Sequence, residues 1–368
     1  MFNAVILRNN TARKGFSVYL LGTLISTLCV SLSLAYEIDS DANIHDSKAS
    51  LLGINHIGLS VQDLDATLDF YLTATNFKLA KREVVANNND ADRLFGRKGV
   101  VYERAVLEAP NMLFELTEFS HNRETPMRMM PVYGPGMTHT CFQSPAHLSG
   151  YDKFKQAGAR MLSRGDEPVD LLGQGVTYAY AYDPEGNMLE LEQLDFSVLG
   201  GDPRKPEWVD AGLDMWMTQV ALVTHNIERL TTYYSKILGF NPYRAADISN
   251  RLPFDDATDI DDVSLKVVFF RMAQRTKSME FWQYVNPETP QTQGDRDSTA
   301  LGYSYSIEVG DIQAEYARMT DLGVKFISEP VLIGDFWQVY ANDIDGNVFA
   351  LRQAVDPNSP WSLPNLEL

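Results

Sequence analysis

Cysteine is scarce in this chain of 368 residues, which contains Cys29 and Cys141 and no other. Because Cys29 lies in an N-terminal segment that we expect to be removed, the remaining chain cannot form an internal disulfide in any compartment. Its stability must come from core packing. We expect Cys141 to be a small buried apolar residue rather than a nucleophile.

Positive charge is also in short supply, since 31 Lys and Arg face 49 Asp and Glu and give a formal net charge of −18. No basic cluster of the kind that follows a phosphate backbone occurs after Lys14. An acidic surface repels nucleic acid and anionic lipid. We therefore expect no nucleic-acid partner. The expected partners are a small-molecule substrate and, in a homo-oligomer, further copies of the chain.

Long apolar runs are missing except for one at residues 16–34, which follows Arg8, Arg13 and Lys14 and ends beside Ala35. This pattern is typical of an export signal cleaved after Ala35, and it predicts a periplasmic or secreted protein. The run is also long enough to span a bilayer, so an uncleaved N-terminal membrane anchor stays an alternative. Cleavage would move the net charge from −18 to −21, because the segment carries three positive charges and no acidic residue.

The length favours two domains, and the sequence contains an internal repeat that supports this division. Residues 54–77 align without gaps on residues 217–240, so that Leu59 meets Leu222 and Phe77 meets Phe240. A second pairing joins Asp183-Pro-Glu-Gly-Asn to Asp343-Ile-Asp-Gly-Asn, each placed ahead of an alternating strand. The two halves therefore share a fold.

Each half is itself doubled, because a short strand, an amphipathic helix and several strands follow one another twice. In the first half we predict strands at 54–61, 100–108, 112–118, 137–143, 176–182 and 187–193, with helices at 63–75 and 148–157. The fold class is therefore α+β, with four βαβββ units. We predict an export signal at 1–35, a polar linker at 36–50, domains at 51–197 and 214–356, a linker at 198–213 and a tail at 357–368.

Four polar residues lie at strand centres, where they face away from apolar neighbours and need an explanation. They are His56, Glu115, His139 and Glu190. If they share the concave face of one curved sheet, two carboxylates become buried together at a cost of several kcal/mol. A divalent cation removes that cost, because imidazoles and carboxylates are its natural ligands. The alternative is four unrelated residues on solvated strands, and a register error would replace Glu115 by Glu118 or His121.

At this point the chain resembles the vicinal oxygen chelate superfamily, which includes glyoxalase I, bleomycin-resistance proteins, methylmalonyl-CoA epimerase and extradiol dioxygenases. The resemblance is carried by residues 55–61, 114–117, 136–139 and 183–191. It implies two tandem cupped barrels built from paired βαβββ units. It also implies that His56, Glu115, His139 and Glu190 bind one divalent ion (Zn, Ni, Mn or Fe(II)), with Glu115 and Glu190 as catalytic carboxylates and Glu190 able to act as general base.

The second half departs from this pattern, which predicts a degenerate domain without a metal site. Its residues at the four ligand positions are expected to be Gln219, Gln283, Tyr305 and Ala350. In some relatives the units exchange between halves, which here would leave two half-sites. A complete ligand set in the first half therefore favours pairing of units one and two.

Three functions stay open at this stage. The first is an exported metal-dependent lyase or isomerase of glyoxalase type, which moves a proton alpha to a carbonyl on a small oxygenated substrate. The second is an Fe(II) ring-cleaving dioxygenase, for which His56, His139 and Glu190 would form the two-histidine, one-carboxylate triad. The third is a non-catalytic ligand-binding protein with the same fold.

Overall fold

The computed structural model describes residues 46–126, 129–171, 173–272 and 277–366. The predicted export signal at 1–35 lies outside the described residues, as does most of the polar linker. Within the described ranges no helix is both long enough and apolar enough to cross a membrane.

Unit one begins the described fold and contains β1 (Leu51–Val61), α1 (Leu64–Ala74), β2 (Lys78–Val85), α2 (Asn89–Leu94), β3 (Tyr102–Glu108) and β4 (Leu113–Phe119). Unit two contains β5 (Gly136–His139), β6 (Cys141–Pro145), α3 (Gly150–Ala157), β7 (Arg160–Met161), β8 (Val169–Asp170), β9 (Val176–Tyr182) and β10 (Met188–Leu194). Two short helices follow in the predicted linker region: α4 (Phe196–Leu199) and α5 (Pro206–Asp210).

Unit three contains β11 (Trp216–Met217), β12 (Gln219–Val223), α6 (Ile227–Leu238), β13 (Arg244–Ile248), α7 (Leu252–Thr258), β14 (Ser264–Arg271) and β15 (Ser278–Asn286). Unit four contains β16 (Gly302–Val309), α8 (Ile312–Asp321), β17 (Lys325–Phe326), β18 (Val331–Ile333), β19 (Phe336–Asn342) and β20 (Val348–Ala354), and α9 (Leu363–Leu366) follows it. The prediction of an α+β fold with four βαβββ units in two cups is confirmed.

The units pair differently from the prediction. Strand β1 of unit one lies antiparallel to β16 of unit four, and both belong to one nine-stranded sheet. Strands β5 and β6 of unit two pair with β12 and β11 of unit three. We call the cup of units one and four the terminal cup, and the cup of units two and three the middle cup. The prediction that units one and two share a cup was wrong, because edge strands pair across the two halves.

The unit helices have an amphipathic pattern that buries one face against a common core. In α1, Asp63 caps the N-terminus by accepting from the Ala66 amide at 2.9 Å, while Leu64, Leu68 and Tyr71 are buried. The Tyr71 hydroxyl donates to Asp183 at 3.1 Å, which ties unit one to the turn before β10. One core cluster includes buried residues from all four units, so the two cups are packed together.

Candidate metal centre

The middle cup brings together one imidazole, two carboxylates and a carboxamide from four strands. His139 ends β5, Glu190 lies in β10, Gln219 begins β12 and Glu280 lies in β15. All four side chains are buried. The first half of the chain supplies His139 and Glu190, whereas the second half supplies Gln219 and Glu280. The site therefore lies at the junction of the two halves.

The strand register identifies Glu280 as the counterpart of Glu115. In the terminal cup Glu115 lies opposite Gly58 in a parallel strand pair, and in the middle cup Glu280 lies opposite Ala221, which matches Gly58 in the repeat. The sequence analysis placed Gln283 there, which was wrong. The side-chain Oε1 of Gln283 instead accepts from the Ile227 amide at 3.0 Å, at the start of α6. The triplet Met279-Glu280-Phe281 repeats the pattern Phe114-Glu115-Leu116 and was the available signal.

A local break in the strand after His139 shapes the middle cup. Strand β5 ends at His139 and β6 begins at Cys141, and the intervening Thr140 donates its hydroxyl to the Gln219 carbonyl at 2.8 Å. Beyond the break Glu190 lies opposite Cys141. The irregularity lets one continuous segment contribute to two sheets that meet at the site.

Negative charge accumulates in the middle cup without a matching cation among its described lining residues. Burial and the neighbouring Glu192 and Glu280 raise the pKa of Glu190 well above its usual value. Burial raises the pKa of Glu192 to about 7, and burial together with Glu192 raises the pKa of Glu280 to about 8. Three buried carboxylates that repel one another favour either protons or a bound cation.

His139 is prepared to act as a ligand. Burial lowers the pKa of its imidazole to about 3, so the ring is neutral near pH 7. Its Nδ1 lies 3.0 Å from the Thr138 hydroxyl, while its buried Nε2 has no hydrogen-bond partner and lies 3.9 Å from Glu190 Oε2. With Nδ1–H donating to Thr138, the Nε2 lone pair faces the carboxylate group where a cation would bind.

Hydrogen bonds and a second group of candidate ligands surround the Glu190 and Glu280 carboxylates. Gln219 donates its side-chain amide to Glu190 Oε2, and Ser278 donates its hydroxyl to Glu280 Oε1 at 2.9 Å. The Cys141 thiol and the carboxylates of Glu190 and Glu192 also place one ligand atom each within 4.8 Å of one another. Glu190 belongs to both groups of candidate ligands, which makes it the centre of the site.

The terminal cup holds the other two predicted ligands and balances their charge with arginine. The Glu115 carboxylate lies 3.2 Å from Arg104 Nη1, and His56 Nδ1 lies 2.8 Å from Arg352 Nη1. Burial alone would raise the pKa of Glu115, but the charges of Arg104, His56 and Arg352 hold it below its usual value. The Arg352 guanidinium is buried and stacks 3.5 Å from the centre of the Phe336 ring.

The prediction that His56, Glu115, His139 and Glu190 converge on one ion therefore has to be corrected. His56 and Glu115 lie in one sheet, and His139 and Glu190 lie in two others, so each cup receives half of the predicted set. Within the described residues, the group of His, Cys, Asp or Glu ligand atoms that lie inside 4.8 Å of one another is Cys141, Glu190 and Glu192, so it includes neither His56 and Glu115 nor His139 and Glu280. The two arginines already compensate Glu115, which leaves no charge for a metal to neutralise.

The alternative residues of the predicted register do not replace Glu115. Glu118 accepts from the Leu64 amide at 2.9 Å at the start of α1 and pairs with Arg123 at 2.5 Å. His121 lies in a turn after β4, where its Nε2 is 3.0 Å from the Thr299 hydroxyl. Both residues serve local contacts at the end of that strand.

The middle-cup residues fit a divalent cation. They offer an unpartnered imidazole nitrogen and two carboxylates, which is a nitrogen and oxygen donor set that Zn, Ni, Mn and Fe(II) accept. The Gln219 oxygen would join them only after a rotation of its carboxamide, because Nε2 faces Glu190 and Oε1 accepts from the Thr218 hydroxyl at 3.4 Å. The cation would also offset the repulsion among Glu190, Glu192 and Glu280. Gln219 lies in this cup at the position predicted for it, and Glu280, which the sequence analysis did not consider, lies there as well.

The triad expected for an iron dioxygenase is not assembled. His56 and His139 belong to different cups, so the two histidines cannot join Glu190 around one ion. In the terminal cup Ala350 and Tyr305 lie on neighbouring strands, and Tyr305 directs its hydroxyl to Tyr234.

Comparisons with known proteins agree with this fold. The sequence profile of the Glyoxalase/Bleomycin resistance protein/Dioxygenase superfamily matches residues 53–191 and 216–351. An ethylmalonyl-CoA/methylmalonyl-CoA epimerase from Cereibacter sphaeroides is 27% identical over 143 residues, which cover 38% of this chain and 97% of that protein. The crystal structure of glyoxalase I from Zea mays superposes with a TM-score of 0.53 at 21% identity, covering 82% of this chain and 92% of that one. The profile matches well over half of the residues, and the chain therefore belongs to the Glyoxalase/Bleomycin resistance protein/Dioxygenase superfamily.

Proposed function

We propose that the middle cup binds one divalent cation through His139, Glu190, Gln219 and Glu280, and that it catalyses proton transfer alpha to a carbonyl on a small oxygenated substrate. The observation that carries this proposal is the burial of three carboxylates, Glu190, Glu192 and Glu280, beside a neutral histidine whose Nε2 has no partner. If these three carboxylates had only a structural role, we would expect arginine or lysine side chains to balance their charge, as the arginines do in the terminal cup.

The chemistry requires a base near the substrate and stabilisation of the charge that develops on oxygen. A bound cation supplies the second requirement as a Lewis acid. Glu190 supplies the first, because burial and its acidic neighbours raise its pKa and so increase its basicity. The register places Tyr180 beside Glu190, and its ring packs against the His139 ring at 5.2 Å. These aromatic contacts hold both groups in place and exclude water.

The epimerase relative is consistent with this reaction class. Epimerisation at a carbon beside a thioester carbonyl also begins with removal of a proton alpha to a carbonyl. The role we proposed from the sequence for Glu115 passes to Glu280, which occupies the same register position in the cup that keeps His139 and Glu190.

Location outside the cytoplasm is part of the proposal. It rests on Arg8, Arg13 and Lys14 ahead of the apolar run and on the small residue Ala35 after it. N-terminal sequencing of the protein recovered from the native cell envelope and from the medium tests it. A mature chain beginning after Ala35 is expected, whereas a membrane-bound chain that keeps these residues would favour the anchor.

The reaction is tested by metal analysis and by solvent hydrogen exchange. Protein purified without chelators should contain close to one divalent ion per chain. In D₂O the metal-loaded protein should exchange the alpha hydrogens of α-hydroxyketones or acyl thioesters, measured by NMR. Glu190→Gln should abolish exchange, since it removes the base.

Glu118→Gln is the matched control, because this glutamate lies in a strand of the other cup and caps α1. It should leave both metal content and exchange unchanged. A protein that binds no divalent ion, or one that consumes oxygen with catechols and exchanges no alpha hydrogen, would contradict the proposed function.

A further inference from the structure

The wall of the middle cup is aromatic and apolar beyond the candidate ligands. The cup is narrow, with a cavity of about 40 Å³ when measured as the space open to the centres of water molecules. Its lining includes six aromatic side chains: Tyr178, Tyr180, Phe254, Phe269, Trp282 and Tyr284. Such a wall favours a flat apolar group, because ring faces and edges pack together and exclude water.

The charges in the same lining are all of one sign. Glu190, Glu192 and Glu280 line the cup, and no lysine or arginine does so among the described residues. Arg244 is not part of this lining, and its guanidinium stacks 5.2 Å from the centre of the Phe269 ring, but its charge reaches Glu280 and partly offsets the rise in the pKa of that carboxyl. With a divalent cation bound and the three carboxylates ionised, the cup still carries one negative charge. A substrate carboxylate or phosphate would be desolvated there without a partner.

Two polar groups in the described wall, the Tyr178 hydroxyl and the Trp282 Nε1–H, have no hydrogen-bond partner, and the Tyr178 hydroxyl is suited to a neutral oxygen. The Tyr178 hydroxyl is buried and makes no hydrogen bond. The register places Tyr178 beside Glu192, two residues along the strand from the pair of Tyr180 and Glu190. A buried hydroxyl without a partner is costly, and a ligand carbonyl or hydroxyl would satisfy it.

From this lining we infer that the substrate of the middle cup is an uncharged molecule with an aromatic ring and an oxygen that accepts from Tyr178, and that anionic substrates are rejected. This inference rests on the proposed function, because it names the substrate class of the same site. It separates this chain from its epimerase relative, since a coenzyme A thioester carries phosphates and this lining offers them no cation.

The test compares three α-hydroxyketones that differ in ring and charge. They are phenacyl alcohol, which has a neutral ring; 4-(hydroxyacetyl)benzoate, which adds a carboxylate; and hydroxyacetone, which lacks the ring. Calorimetry on the metal-loaded full-length mature protein should give phenacyl alcohol at least a tenfold lower Kd than either of the others. Equal or tighter binding of 4-(hydroxyacetyl)benzoate would overturn the inference.

Two variants extend the comparison. Tyr178→Phe keeps the ring and removes the hydroxyl, so it should raise the Kd for phenacyl alcohol by about five- to tenfold, the usual effect of losing one hydrogen bond. Leu171→Arg places a cation at a half-buried point of the lining and should bring the carboxylate analogue to the affinity of phenacyl alcohol. If neither variant changed these affinities, the inferred substrate class would be contradicted. If a variant fails to fold, the comparison of the three ligands on the unchanged protein still tests the inference.

Failure of this inference can be distinguished from failure of the proposed function. Metal titration is measured first and separately from ligand binding. A protein that binds the ion and prefers the carboxylate analogue would refute the substrate class alone. A protein that binds no ion but still prefers phenacyl alcohol would refute the metal-dependent reaction and leave the substrate class standing.

Discussion

Glu280 and Glu115 occupy the same position in two different cups. Glu280 lies opposite Ala221 and Glu115 lies opposite Gly58, each on a parallel neighbouring strand, and Ala221 and Gly58 are equivalent in the repeat. Their surroundings differ in charge. Glu115 faces Arg104 and Arg352, whereas Glu280 faces Glu192 and Glu190 and is only partly compensated by the charge of Arg244. The two equivalent carboxylates therefore differ, since the charge of Glu115 is already compensated by arginine, whereas that of Glu280 favours a bound cation.

This pair gives the first prediction. Glu280→Gln should lower the affinity for the divalent ion by at least about tenfold, because disturbing a metal site commonly costs 10- to 100-fold. Glu115→Gln should leave that affinity unchanged, although it removes an ion pair from the terminal cup. Competition with a chromophoric chelator measures both values. If Glu115→Gln lost metal binding and Glu280→Gln kept it, the metal site would instead lie in the terminal cup.

Cys141 provides a second prediction about the ligand set. If His139, Glu190, Gln219 and Glu280 hold the ion, Co(II)-substituted protein should show no thiolate-to-metal charge-transfer band. Cys141→Ser should then bind the metal as the unchanged protein does. A charge-transfer band that disappears in Cys141→Ser would show instead that the ion is held by the group of Cys141, Glu190 and Glu192.

The buried arginine of the terminal cup gives a third prediction, on stability. Arg352→Met removes the hydrogen bond to His56 and one of the charges that face Glu115, while Arg104 still pairs with Glu115, so it should lower the free energy of unfolding by about 1–3 kcal/mol, the cost of leaving a buried polar partner unsatisfied. Urea denaturation measures the change. The control is Arg93→Met, an exposed residue paired with Asp90, for which a change within about 0.5 kcal/mol is expected. Equal effects would refute the role given to Arg352.

His56 gives a fourth prediction, on acid sensitivity. Burial and the Arg352 charge lower the pKa of His56 to about 3, compared with 6.5 in an unfolded chain. Between these pH values the unfolded state binds a proton that the folded state does not. The contribution of His56 to stability is therefore fully present above pH 6.5 and is lost as the pH falls towards 3, by up to about 1.4 kcal/mol per pH unit.

The measurement compares denaturation of metal-free protein across that pH window. His56→Gln should make the decline shallower, and glutamine is a suitable replacement because Gln219 occupies the matching position in the middle cup. The control is His147→Gln, which alters an exposed histidine. Parallel declines in all three proteins would contradict a buried neutral His56.

The pairing of units across the halves gives a fifth prediction. Residues 36–204 and 205–368, produced separately, should each fail to form a stable monomer, because β1 and β5 would lose their partners β16 and β12. Mixed during refolding, the two fragments should form one complex that binds the metal. Circular dichroism and size-exclusion chromatography measure this. A folded, monomeric first fragment that binds the ion would restore the pairing of units one and two.

The sequence was sufficient for the units but not for their arrangement. Periodicity placed the strands around His56, Glu115, His139 and Glu190 because alternation is a local property of each strand. Pairing between edge strands is not local, and β1 carries similar apolar residues whichever unit it joins. The partner that β1 pairs with therefore decides which residues share a cup.

The residues that sequence reasoning missed show a second limit. Gln219 was set aside because it is neutral, although its carboxamide oxygen is a good metal ligand. Glu280 was missed because the two halves do not align without gaps across this segment, so the register of β15 could not be fixed from the sequence and Gln283, three residues further along, was chosen. The charge balance of the terminal cup was not foreseen, because Arg104 reaches Glu115 from the neighbouring strand β3 and Arg352 comes from unit four, whose pairing with unit one was not predicted.

The crossed arrangement of the units also bears on how the protein survives damage. The segment between units two and three, with α4 and α5, is the place where a protease would be expected to cut. A cut there leaves two fragments that remain clasped through two separate strand pairings, so nicking need not release either fragment or open the metal-binding cup.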